Sequence, residues 1–95
     1  MTQVTQDQIL DALRQDLGRP VFEGVVYDWS ATLSELDMTI QNLRKWAAPE
    51  AVGFNLLCFP SKQWLQKEPY GLVLVIGSWN YPFQLSLVPA LGAIA

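Results

Sequence analysis

The chain has 95 residues, enough for one small domain and too few for two. Hydrophobic residues make up 51% and charged residues 16%, against about a quarter charged in soluble domains, so the apolar surface exceeds what this size can bury and partner surface is implied. A net charge of −3 with scattered basic residues, no histidine and a single cysteine argue against phosphate-backbone binding, Ser–His or Cys–His catalysis and the commonest zinc ligand, and exclude an intrachain disulfide; a reduced, cytoplasmic setting is expected.

In chain order, residues 1–16 are polar and acidic and lack the basic start and apolar core of a targeting segment. The spacing of Ile9, Leu10, Leu13 and Leu17 predicts a helix over 5–17, with Thr5 as its cap and Gln8 in capping-box register. Gly18 and Pro20 stop it. Asp7, Asp11 and Asp16 read as solvated charges, Asp7 being favoured by the helix dipole. A second, long helix is predicted over 21–47. Its apolar stripe is Val25, Trp29, Leu33, Leu36, Ile40, Leu43 and Ala47, with Gly24 a slight weakness in the first turn and Pro49 marking the end. Trp29 and Trp46 read as packing residues.

Two short strands are expected at 54–58 and 63–67, separated by Pro60 and Ser61, as a small hairpin or an extended arm. Cys58, alone in an apolar run, reads as a small buried hydrophobe. Glu68-Pro69 breaks the run. Residues 71–76 (GLVLVI) are continuously apolar and β-branched, the pattern of a strand covered on both faces. Residues 77–81 turn the chain, and Pro82 suits the first position of a helix over 82–94, bent near Pro89. Residues 71–95 carry no charge, but the turn at Ser78–Pro82 and the two prolines favour a buried strand, turn and helix over a membrane span.

The strand–turn–helix is where chemistry is expected, because ligands in open α/β sheets gather at the carboxyl ends of strands. Gly77 permits close backbone approach, Trp79 and Tyr81 offer flat surfaces, and the Asn80 amide offers two N–H donors for an oxyanion. The plainer alternatives are that Asn80 caps the helix at Pro82, that Trp79 and Tyr81 are core, and that Gly77 and Ser78 form an ordinary tight turn. A G-x-G-x-x-G fingerprint is absent.

The string Glu68-Pro69-Tyr70-Gly71, then LVLVIGSWNYPF, then Pro89 to Ala95 (PALGAIA), resembles the aldehyde dehydrogenase superfamily. The class 3 branch, which reads E-P-x-G-V-V-L-I-I-G-x-W-N-Y-P-F here, fits best. Upstream, DALRQDLGRP (Asp11–Pro20), Phe22-Glu23 and LRKWAAPEAV (Leu43–Val52) also look like class 3. The resemblance implies an α/β chain in three parts: residues 1–53 as helices around the cofactor domain, 54–70 as extended oligomerisation strands, and 71–95 as the first strand and helix of a Rossmann-like domain. It implies oxidation of aldehydes to carboxylic acids with NAD or NADP through a cysteine thiohemiacetal, in a protein that pairs as a homodimer. Asn80 then becomes an oxyanion donor; Ile76, Gly77, Ser78, Trp79 and Asn80 line the cofactor; and Tyr81 lines the substrate channel. No metal, nucleic acid or membrane segment is implied for this stretch.

In the family, the nucleophilic cysteine, the general-base glutamate and the ribose-contacting lysine all lie beyond the position of Ala95. Cys58 is in the wrong context to be the nucleophile, and Met1 matches an internal position. The expectation is an amino-terminal fragment, inactive and poorly stable alone. The alternative is a non-catalytic oligomerising helix and strand module from a truncated gene.

Overall fold

The computed structural model describes residues 3–95; Met1 and Thr2, and with them the reading of Met1 as an internal position, lie outside the described residues. Helix α1 spans Gln3–Leu17. Thr5 lies within it, so the expected start at Thr5 falls inside the helix and Thr5 is not its cap. Leu10 and Leu13 are buried and Leu17 is exposed. Gly18 ends the helix at φ 63°, and its N–H donates to the Arg14 carbonyl at 3.0 Å, closing a left-handed cap that a side chain would strain. Of the three aspartates, Asp11 is ion-paired with Arg14 at 2.8 Å rather than simply solvated.

The predicted long helix is one continuous helical run over 21–46, in three segments: α2 (Val21–Glu23), a π-helical stretch (Gly24–Ser30) and α3 (Ala31–Trp46). A π turn is wider than an α turn. Here Gly24, Asp28 and Trp29 are all buried within it, and Thr32 follows one turn on. Gly24 is where α1 crosses, because a Cβ there would lie 2.9 Å from Leu10 Cδ2. The expected stripe holds at Trp29 and weakens beyond Leu36, where Ile40, Leu43 and Ala47 are exposed.

The hairpin is present, but not at the predicted first strand. Strands β1 (Glu50–Ala51) and β2 (Trp64–Leu65) pair antiparallel, Glu50 opposite Leu65 and Ala51 opposite Trp64. Residues 56–58 form a 3₁₀ turn instead of strand, because the Asn55 side chain accepts from the Leu57 N–H at 3.0 Å and offers the backbone a turn. Cys58 at its end is half-buried, not a core residue. The hairpin elements pack on one another and on none of the helices.

Residues 71–76 run without a ladder partner among the described residues, so no strand forms there. Alternation survives. Val73 and Val75 line a hollow against Ala90, Ala93 and Ile94 of α4 (Pro82–Ile94), while Leu72, Leu74 and Ile76 face away and are exposed. Val73 is still half exposed, so the expected cover on both faces is partial on one and absent on the other. Helix α4 occupies the predicted 82–94, with Pro82 in its first turn and Pro89 inside it. No helix among the described residues is long and apolar enough to cross a membrane.

Helix α4 packs on α3 and on the π turn, which also meets α1; Trp29 stacks on Phe83 with centroids 6.0 Å apart. The molecule measures 63 × 24 × 17 Å with a radius of gyration of 19.4 Å, against about 12–13 Å for a compact domain of this length. Its accessible surface is 7679 Å², whereas a compact monomer of 10.7 kDa exposes about 5500 Å². The surplus apolar surface inferred from composition is thus present as exposed side chains.

Lys67 closes the hairpin. Its Nζ lies 2.9 Å from Glu50 Oε1 and 3.4 Å from the Trp46 carbonyl, a free acceptor at the end of α3. The Lys67 ammonium, first by hydrogen bonding and then by charge, holds the Glu50 carboxyl below its ordinary 4.5. A depressed folded value means that the bridge contributes above the ordinary carboxyl range and is lost as pH falls through the folded value. Both side chains are exposed, so the stabilisation is small. Lys67→Met is expected to return the Glu50 titration, followed by carbon NMR, to about 4.5. An unchanged Glu50 titration in that variant would show that another group holds the carboxylate.

Candidate functional site

The residues singled out by sequence fall on one contiguous turn between the extended segment and α4. Ile76 and Trp79 are 84% and 80% exposed. The Asn80 side chain is exposed and makes no hydrogen bond among the described residues. Trp79 also borders an apolar groove of about 510 Å³ formed with Ile9, Leu13 and Leu17 of α1 and Phe83 of α4. Tyr81 is half-buried: its ring meets Tyr27 edge-on at 6.1 Å and lies 4.5 Å beneath the Arg19 guanidinium.

Gly77 is required by the protein's own packing. A Cβ there would lie 2.1 Å from Ser86 Oγ and 3.4 Å from Ser86 Cα, so the turn can sit this close to α4 only without a side chain. This need is separate from any approach of a ligand. Glycine at such a crossing allows tight strand-to-helix packing.

Asn80 does not cap α4. The cap position is Tyr81, which offers no side-chain hydrogen bond. The N–H of Gln84, in the first turn, instead donates to Asp28 Oδ1 at 3.3 Å. A carboxylate from the long helix thus caps α4 from outside, at the helix end that favours negative charge.

Asp28 is fully buried. Its other oxygen, Oδ2, accepts from Arg19 Nη1, and Arg19 Nη2 donates to the Asn80 carbonyl. Thr32 Oγ1 donates to the Asp28 carbonyl at 2.6 Å. No buried side-chain polar atom among the described residues lacks a partner.

Sequence reading missed Arg19, Asp28 and Gln84. The one available signal was a carboxylate directly beside Trp29 on the apolar stripe. Arg19, in a three-residue linker, gave none. Cys58 lies in the hairpin arm, which packs on none of the helices, and so is not brought to the turn. No group of three or more metal-ligating side chains occurs among the described residues.

The chain has relatives among known proteins. Residues 2–95 match the model of the family described as "Aldehyde dehydrogenase family". The chain is 42% identical over 90 residues to aldehyde dehydrogenase family 3 member H1 of Arabidopsis thaliana, covering 95% of this chain and 19% of that protein. It is 44% identical over 85 residues to family 3 member B1 of Homo sapiens, covering 90% and 18%. A solved structure described as the substrate-bound state of Staphylococcus aureus AldH superposes with a TM-score of 0.91 at 38% identity, covering 97% of this chain and 20% of that one. The chain therefore spans about a fifth of the length of the curated relatives it matches.

Gly77→Ala is expected to push the turn off α4 and to lower stability by about 1–3 kcal/mol, the usual cost of overpacking. Adding Ser86→Ala removes the hydroxyl in the way and should restore part of the loss. Thermal melts of the two variants against the parent decide it. An equal loss with and without the Ser86 change would place the requirement for glycine elsewhere.

Proposed function

Because the chain belongs to the aldehyde dehydrogenase family, we propose that it is the amino-terminal part of an enzyme that oxidises aldehydes to carboxylic acids with NAD⁺ or NADP⁺, and that residues 76–81 are its share of the active site. The observation that carries this reading is the Asn80 amide. It offers two N–H donors with no partner among the described residues, on a turn whose backbone is tied at the Asn80 carbonyl and again at the Gln84 N–H. A donor kept free in a fixed frame suits negative charge that develops on a substrate oxygen.

In this proposal a cysteine thiolate outside the chain attacks the aldehyde carbon. The Asn80 amide donates to the carbonyl oxygen as it takes up charge, and a glutamate outside the chain activates the water that releases the acid. NAD⁺ or NADP⁺, when bound, supplies the hydride acceptor. The residues here fit one wall for such a cofactor. Ile76 and Trp79 present exposed apolar faces on either side of Gly77 and Ser78. They do not form a phosphate cradle, because the Asp28 carboxylate already occupies the anion position at the start of α4. Tyr81 contributes to the substrate side of the same turn.

The hairpin over 50–65, with exposed Phe54, Leu57 and Trp64 and no helix packed on it, is proposed as subunit contact in a homodimer. A cytoplasmic setting suits the single unpaired thiol.

The test is turnover by the full-length protein that contains this segment. It is expected to reduce NAD⁺ or NADP⁺ only when an aldehyde is present. Asn80→Ala should lower kcat about 10²–10³-fold with the cofactor still bound, the cost of losing one oxyanion donor. Retention of the full kcat by Asn80→Ala would remove the oxyanion role.

A further inference from the structure

The contacts that hold Asn80 in place come from a residue far away in sequence. Arg19 lies in the linker between α1 and α2, between Gly18 and Pro20, and its side chain is 12% exposed. Its guanidinium is used in three directions. Nη1 donates to the buried carboxylate of Asp28, Nη2 donates to the backbone carbonyl of Asn80, and Cζ lies over the Tyr81 ring, 4.5 Å from its centroid. Asp28 in turn holds the Gln84 N–H at 3.3 Å. The run from Asn80 to Gln84 is therefore tied at its first carbonyl, at its tyrosine ring and at its last N–H, by two side chains from one buried pair. Across 72–80 no other hydrogen bond to the backbone or to a side chain occurs among the described residues.

We infer that Arg19 is a positioning residue for Asn80: anchored by Asp28, it fixes the Asn80 carbonyl and the Tyr81 ring, and through them the direction in which the Asn80 amide meets the substrate oxygen. The inference rests on the proposed oxyanion role of Asn80. Its physical basis is the geometry of guanidinium. A planar fork reaches a carboxylate and a carbonyl at once while its face lies on an aromatic ring. A lysine ammonium carries the same charge to Asp28 but has no second arm held in that plane. Rotation of the Asn80 peptide then becomes free, and the amide swings with it. Displacement of a catalytic group by about 1 Å can cost on the order of a hundredfold in rate.

The experiment is a double-variant cycle in the full-length protein, with Arg19→Lys chosen because it keeps a cation beside the buried carboxylate and so preserves folding. Arg19→Lys is expected to lower kcat by about tenfold to a hundredfold, with little change in the KM for cofactor. In the Asn80→Ala background the same change should cost nothing further, because it acts through the amide already removed. Amide hydrogen exchange in the Arg19→Lys protein should quicken over 78–84 and stay unchanged over α1.

Equal losses in both backgrounds, or an undisturbed exchange pattern over 78–84, would overturn the positioning role while leaving Asn80 its own. A full kcat for Asn80→Ala would overturn the oxyanion reading, and this inference with it. Asp28→Asn is a second check. It keeps an acceptor for the Gln84 N–H but removes the charge that anchors Arg19, and it should reproduce the kcat loss and its disappearance in the Asn80→Ala background.

Discussion

The fold turns on one buried carboxylate. Asp28 is withdrawn from water, and a bare carboxylate there would be prohibitively costly. It is tolerated because both oxygens are engaged, one by the Arg19 guanidinium and the other by the first turn of α4. That double engagement joins the α1–α2 linker, the long helix and α4. Each of these elements has too little core of its own: among the described residues the buried large apolar side chains are Leu10, Leu13 and Trp29. The ionic link therefore does two jobs at once. It closes the junction of the three elements, and it fixes the register of the turn that bears Asn80.

Packing around this link follows from its placement. The π turn keeps both Asp28 and its neighbour Trp29 inside, so that charge and stacking act on the same helix start. Gly24 lets α1 approach on one side, and Gly77 lets the turn approach α4 on the other. Away from the junction the chain is loosely covered. One face of the 71–76 segment is partly covered by α4 and the other is bare, and the hairpin strands pack on no helix. Rigidity is thus concentrated beside the proposed active-site turn, and exposed apolar surface is left where further protein surface would cover it.

Much of this was legible locally. Pro82 at a helix start, the left-handed Gly18 stop and the four- and three-residue apolar spacing each act within a few residues, and α4 and the long helix lie where those signals put them. The Trp-Asn-Tyr-Pro-Phe string of residues 79–83 carries the family resemblance within five consecutive residues. The first hairpin strand was misplaced because Asn55 bonds its own neighbourhood and turns an apolar run that composition reads as extended. The strand at 71–76 was expected from its residues, but a strand exists only as a pairing, and no second strand lies beside it among the described residues.

The sequence by itself determined the helices, the site of the turn, the residue types on it and the family, because these depend on spacing and on side chains close along the chain. Only the tertiary structure decided that Arg19 meets Asn80 across 61 residues and that Asp28 meets Gln84 across 56. No periodicity encodes such a meeting. An arginine in a linker and an aspartate beside an apolar stripe look like surface charges until packing brings them together, and it is then the cost of burying an unpaired charge that makes their pairing obligatory.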